Sequence, residues 1–232
     1  MVERAGYGQF CPVSMAAEIL CSRWTILVIR ELLAGSTRFN DLRRGLPRMS
    51  PALLSKRLRD LERAGIITAT PNAKGIVEYR LSPAGEDLEP VVMGMGFWGQ
   101  RWVESSLSLS LRNLDPSLLM WDIRRHLRPE PLPPRRTTIH FLYPELAEGE
   151  CEWWLVIEDG TVDLCNFDPG YEVDLVITTS LRTMTAVWMG ISSLQKEIDA
   201  RRLELDGDRQ IIASMKQWLC LSPFAVGDRR VA

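Results

Sequence analysis

Arg128 to Arg136 reads RPEPLPPRR, and four of its nine residues are proline. Proline fixes φ and lacks a backbone N–H, so neither a helix interior nor a central strand can run through such a stretch. It reads as a stiff spacer. The apolar period changes across it. Before it, apolar residues recur in steps of three and four; beyond it they alternate in twos, with helices between. Two domains of unlike class follow. We expect a mainly α domain over residues 1–107, a helical connector and Pro-rich linker over 108–136, and an α+β domain over 137–232.

In the front part, residues 12–34 carry one helical period, with Met15, Ile19, Trp24, Leu27, Val28 and Leu32 on the apolar face and Gly35 as the stop. Phe39 to Gly45 reads as a short helix. Ser50 suits an N-cap, Pro51 the first helical position and Gly65 the site just past the end. Between them Leu54, Leu58 and Leu61 form an inward stripe. Ile66–Thr70 and Ile76–Leu81 are β-branched runs joined by a short loop carrying Lys74, which predicts a hairpin with a basic tip. Three helices and a hairpin make a winged helix-turn-helix. Ser82-Pro83 then starts a helix on which Leu88, Val91, Met95, Trp98 and Trp102 form an apolar seam. A second copy of the chain, giving a two-fold dimer, is the simplest cover for that seam; the chain's own C-terminal part is the alternative. Pro116 to Leu127 reads as a further helix.

The net charge of −2 conceals an asymmetry. Cys21 to Arg80 holds 12 Lys+Arg against 5 Asp+Glu, a net +7; Leu81 to the end holds 15 against 23, a net −8. A basic segment of this kind is the electrostatic footprint of a nucleic-acid partner. The Ser50–Ala64 helix would face outward with Ala52, Lys56, Arg59 and Arg63, and with Ser55 at the margin. Ala52 is thin enough for a thymine methyl, Ser55 donates or accepts, and Lys56 and Arg59 reach guanine edges or phosphates. Arg57, nearer the core side, suits a backbone phosphate. Arg38, Arg48, Ser50 and Lys74 complete the candidate DNA contacts.

These residues resemble a known family. Cys11-Pro12, Arg23-Trp24-Thr25 leading into Leu32, Arg38-Phe39-Asn40-Asp41-Leu42, Ser50-Pro51 with its leucine stripe, Gly65-Ile66-Ile67 and Tyr79-Arg80-Leu81-Ser82-Pro83-Ala84-Gly85 are similar to the HxlR-type regulators, relatives of the MarR type. The resemblance implies a homodimer on a near-palindromic operator, with the Ser50–Ala64 helix in the major groove. The wing loop is brief, which limits the reach of Lys74. The resemblance also points to Cys11 as a redox-sensing thiol, and a thiol before a helix N-terminus has its thiolate favoured.

Beyond the prolines, Thr137–Tyr143, Glu152–Ile157, Thr161–Cys165 and Glu172–Thr179 read as strands, followed by a helix capped by Ser180, a second helical stretch, a strand at Arg202–Leu205 and a last helix from Asp208 to Leu219. A two-residue Asp159-Gly160 turn sets Cys165 opposite Trp154 and away from Cys151, which argues against a disulfide there. The order of elements, with Trp188-Met189-Gly190 and Gly207-Asp208, resembles a sterol-carrier-protein-like fold. That implies an apolar effector, with Trp153, Trp154, Met184, Trp188, Met189 and Trp218 as candidate walls; otherwise these residues fill a core.

Other classes find little support. Gly94-Met95-Gly96-Phe97-Trp98-Gly99 matches a dinucleotide fingerprint, but it lies inside a helical seam, where small residues suit a close helix approach better. There is no Gly-x-Ser-x-Gly elbow. Five scattered cysteines and two histidines give no zinc spacing, so no metal or cofactor is expected. No apolar run reaches membrane-span length and the first residues lack the order of a signal peptide, so we expect a cytoplasmic, non-enzymatic protein without membrane contact. The competing reading is a carrier of lipid or other hydrophobic ligands whose front domain mediates association.

Overall fold

Residues 6–226 and residue 230 are described by the computed structural model. They divide into two units, 1–95 and 96–232, each of which has its own core.

The first unit opens with α1 (Pro12–Leu20) and α2 (Thr25–Leu33). These are two helices, not the single one that the periodicity predicts. They meet at 84°, and the break sits at Trp24, whose backbone is left-handed at φ 77°. Consequently Met15, Ile19 and Leu27 are exposed, while Val28, Ile29 and Leu32 are buried. Next come α3 (Phe39–Gly45) and α4 (Pro51–Arg63). Leu54, Leu58 and Leu61 of α4 are buried against Val28, Ile29, Leu42 and Leu46. The Ser50 hydroxyl caps α4 by accepting from the Leu53 N–H, and Gly65 follows the helix at φ 73°. β1 (Ile67–Pro71) and β2 (Val77–Leu81) pair antiparallel from Ile67↔Leu81 to Pro71↔Val77. The chain just before α3 joins this hairpin as a third short strand, through an Arg38↔Glu78 bridge and the Tyr79 N–H to the Thr37 carbonyl.

The predicted helix from Pro83 is also divided, into α5 (Pro83–Glu86) and α6 (Glu89–Trp102). The division between units falls inside α6. Val92 belongs to the first core, whereas Phe97 packs edge-to-face on Phe224 and the Gln100 amide donates to the Met189 carbonyl in the second unit. The boundary therefore lies earlier than residue 107. The proline stretch lies within the second unit and does not separate the two: Leu132 is buried in that core and the Arg128 N–H donates to the Trp218 carbonyl.

The second unit continues with α7 (Ser105–Ser108), α8 (Pro116–His126), β3 (Thr137–Leu142), β4 (Glu152–Glu158), β5 (Thr161–Cys165), β6 (Leu175–Thr179), α9 (Leu181–Trp188), α10 (Leu194–Asp199), β7 (Leu203–Gly207), α11 (Arg209–Ala213) and α12 (Met215–Trp218). Its five-stranded sheet runs β5-β4-β3-β6-β7, with β3 and β6 parallel and the other pairs antiparallel. Asp159 and Gly160 both take positive φ, and the resulting register sets Trp154 opposite Cys165. Ile139, Phe141, Leu155 and Ile177 of the sheet are buried against Met120 and Ile123 of α8, Met184 and Val187 of α9, and Trp218 of α12. This is an α+β unit.

Candidate nucleic-acid interface

A rod of α-helix enters a major groove only if its outer face is thin and carries hydrogen-bond donors. α4 meets that requirement. With its leucine stripe in the core, Ala52, Lys56, Arg59 and Arg63 are exposed along one side and Ser55 is half-buried beside them. Arg38 and Arg48 are exposed before the helix, and Lys74 is exposed at the hairpin tip. Ser50 is exposed as well, but its hydroxyl is engaged as the helix cap.

Arg57 departs from the phosphate contact expected of it. Its Nε donates to the Arg23 carbonyl at 3.0 Å and its guanidinium pairs with Asp60 at 3.1 Å, leaving the side chain 11% exposed. It ties the base of α4 to the turn between α1 and α2. Arg63 also approaches Asp60, at 3.8 Å, but its side chain is 76% exposed. Arg59 and Lys56 stand on the outer side, where their charge is available to a polyanion.

The hairpin tip has its own internal order. The Asn72 carbonyl oxygen of the side chain accepts from the N–H groups of Lys74 and Ile76, at 2.9 and 3.1 Å. Its amide nitrogen donates to Glu78 at 3.0 Å, and the other Glu78 oxygen accepts from Arg80 at 2.7 Å. The Asn72 hydrogen bond first, and then that of Arg80, hold the Glu78 carboxyl below the usual carboxylate range. Sequence reasoning missed Asn72, Glu78 and Arg80. The signal available was an asparagine two residues before Lys74, the spacing of an Asx-turn.

Of the seam on α6, Leu88 packs on the first unit's core. Val91, Met95, Trp98 and Trp102 are exposed, at 47%, 53%, 64% and 50%. On the first unit Phe10, Val13 and Met15 are exposed too. Cys11 is an exposed free thiol at the N-cap of α1.

The candidate ligand walls are a correction. Trp153, Met184, Trp188 and Trp218 are core residues, packed on Phe141, Leu155 and Ile211. Met189 is half-buried against the same core, and Trp154 lies buried on the opposite sheet face, stacked on His140 at 4.5 Å. An open groove of this unit has other walls. A groove of about 750 Å³ runs between α10, β7 and α11–α12, lined by Leu194, Ile198, Leu203, Leu205, Ile212 and Met215, with Arg201, Glu204 and Lys216 among its polar residues.

A basic helix carried on a small helical core, with a hairpin beside it, defines a winged helix-turn-helix module, the class of fold that reads duplex DNA by an inserted helix. Residues 19–115 match a family described as HxlR-like helix-turn-helix. The chain is 38% identical over 99 residues to the HTH-type transcriptional regulator sll1512 of Synechocystis sp., covering 42% of this chain and 73% of that protein. It is 34% identical to the HTH-type transcriptional regulator YvaP of Bacillus subtilis, covering 42% of this chain and 94% of the relative. Among solved structures, the reduced form of the transcriptional regulator YodB from B. subtilis is 30% identical, covering 41% of this chain and 97% of that one, with a TM-score of 0.37. The chain belongs to the HxlR-like helix-turn-helix family.

Proposed function

We propose that the protein is a cytoplasmic transcription regulator that binds a near-palindromic DNA operator as a homodimer. The exposed basic face of α4, set on a buried leucine stripe, carries the reading. Ala52, Ser55, Lys56 and Arg59 meet base edges and phosphates in the major groove, while Arg38, Arg48 and Lys74 meet the flanking backbone. Val91, Met95, Trp98 and Trp102 supply the dimer contact, since four exposed apolar side chains on one helix suit a two-fold partner. Oxidation at Cys11 is a proposed input, supported by its exposure at the start of α1.

For the second unit we propose a sterol-carrier-like module that takes an apolar effector. The observation that favours this is the groove between α10, β7 and α11–α12, whose aliphatic lining is half-open to solvent. The chain is then a regulator with a sensing unit and has no enzymatic role.

The experiment is selection of binding sites from random duplex DNA by the full chain, with and without oxidant. Lys56→Ala and Arg59→Ala are then titrated on the selected duplex. Each is expected to weaken binding with little change in melting temperature, and each lost phosphate contact should lower the salt slope by about one. Variants that bind as the wild type does would refute the assignment of α4. Loss of the oxidant's effect in Cys11→Ser tests the thiol separately.

A further inference from the structure

A short wing can reach DNA only if its tip is held in one shape, because a flexible loop loses conformational entropy on binding. Here the loop from Pro71 to Ile76 is closed by the Asn72 N–H to the Ile76 carbonyl and by the Gly75 N–H to the Asn72 carbonyl. The Asn72 side chain adds the two further acceptor contacts that fix the backbone on either side of Gly75, including the N–H of Lys74 itself. One N–H of its amide donates to Glu78, across the hairpin on β2. Glu78 in turn holds Arg80, and its backbone bridges to Arg38 at the start of α3. Glu78 thus links the hairpin tip to Arg80 through its carboxylate, and the middle strand to the chain before α3 through its backbone. Its side chain is only 17% exposed, whereas that of Arg80 is 62% exposed.

We infer that Asn72 and Glu78 are positioning residues for DNA binding: they form a clamp that aims the cations Lys74 and Arg80 at the phosphate backbone. The inference rests on the DNA-binding reading of α4 and adds residues that touch no nucleic acid themselves. Asn72 sets the direction of Lys74 through the tip backbone. Glu78 keeps Asn72 in place and orients Arg80, whose exposed side can still meet a phosphate. The Asn72 and Arg80 hydrogen bonds hold the Glu78 carboxyl below the usual range, so the clamp stays ionised to a lower pH than a free carboxylate would.

The test uses the full-length chain and a fluorescent duplex recovered by selection with the wild type, titrated across a KCl series. Asn72→Ala and Lys74→Ala are each expected to weaken binding roughly threefold to tenfold and to lower the salt slope by about one. The double variant is expected to bind no more weakly than Lys74→Ala alone, because Asn72 acts through Lys74. Glu78→Ala should lose binding, and Glu78→Gln, which keeps an acceptor for Asn72, should restore part of it. A purely structural asparagine would instead give additive losses and a lower melting temperature. Additivity in the Asn72/Lys74 cycle, or wild-type affinity and slope in Asn72→Ala, overturns the clamp. If wild type fails to bind any duplex, or Lys56→Ala binds as wild type does, the α4 reading is what has failed.

Discussion

His140 shows what a single buried ring does to a sheet. It stacks on Trp154 with planes 3° apart, and its Nε2 is sealed from solvent 3.5 Å from a Glu152 oxygen, too far for a hydrogen bond. Burial lowers its pKa from the usual 6.5, and the charges of Glu152 and Asp168 offset only part of that. The native state therefore holds a neutral imidazole at pH values where the unfolded chain already binds a proton. Its stabilising effect is complete above the unfolded pKa and is lost as pH falls from about 6.5 toward the lowered folded value. Urea denaturation at about pH 7.5 and about pH 5.5 should show the wild type less stable at the lower value. His140→Phe, which keeps an aromatic ring on Trp154, should show a smaller drop. An equal drop in both proteins would remove His140 as the cause.

At the scale of elements, α6 carries three glycines, and the structure separates their roles. A Cβ at Gly96 would lie 2.2 Å from the Phe224 ring, while Gly94 and Gly99 face open space. The close approach expected at these small residues is thus made by an aromatic ring of the C-terminal segment. Gly96→Ala is expected to lower the melting temperature, since the ring must move away from Phe97. In a Phe224→Ala background the same change should raise it by roughly 2–4 °C, reflecting about 1 kcal/mol of helix propensity. A sign that does not reverse would mean that the ring is not what limits position 96. α4 was legible in the sequence because its cap, its proline and its leucine stripe all agree locally. The break before α2 was not, because a tryptophan in the left-handed region has no local signal and is held there by tertiary packing. The proline stretch misled for a related reason. Its composition forbids helix and strand, but nothing in it announces that Leu132 is buried. The hairpin clamp needed cross-strand register, which residue types alone do not supply.

For the whole molecule, the charge asymmetry and the exposed apolar side chains make separate demands. The net +7 between Cys21 and Arg80 favours a polyanion, and the exposed tryptophans Trp98 and Trp102 favour a partner surface. Trp98→Arg is expected to shift sedimentation toward monomer and to weaken binding to a two-half-site duplex far more than to a single half-site. A variant that remains dimeric would move the interface elsewhere. Legibility at this scale was uneven. Both fold classes were readable from the apolar period, whereas the division inside α6 was not, because a continuous helix hides which of its turns belongs to which core. One internal feature of the first unit bears on all of this. Glu31 is fully buried in α2, paired with Arg30 and accepting from Ser36, and a Cβ at Gly45 would fall 1.8 Å from its carboxylate. Any side chain at 45 forces the Glu31 carboxylate to shift from its contacts with Arg30 and Ser36, in the core that also seats α4. A genetic screen for broken regulators should therefore recover substitutions at this hidden glycine as readily as at the exposed Lys56 and Arg59 of α4, and suppressors of them should map to Glu31.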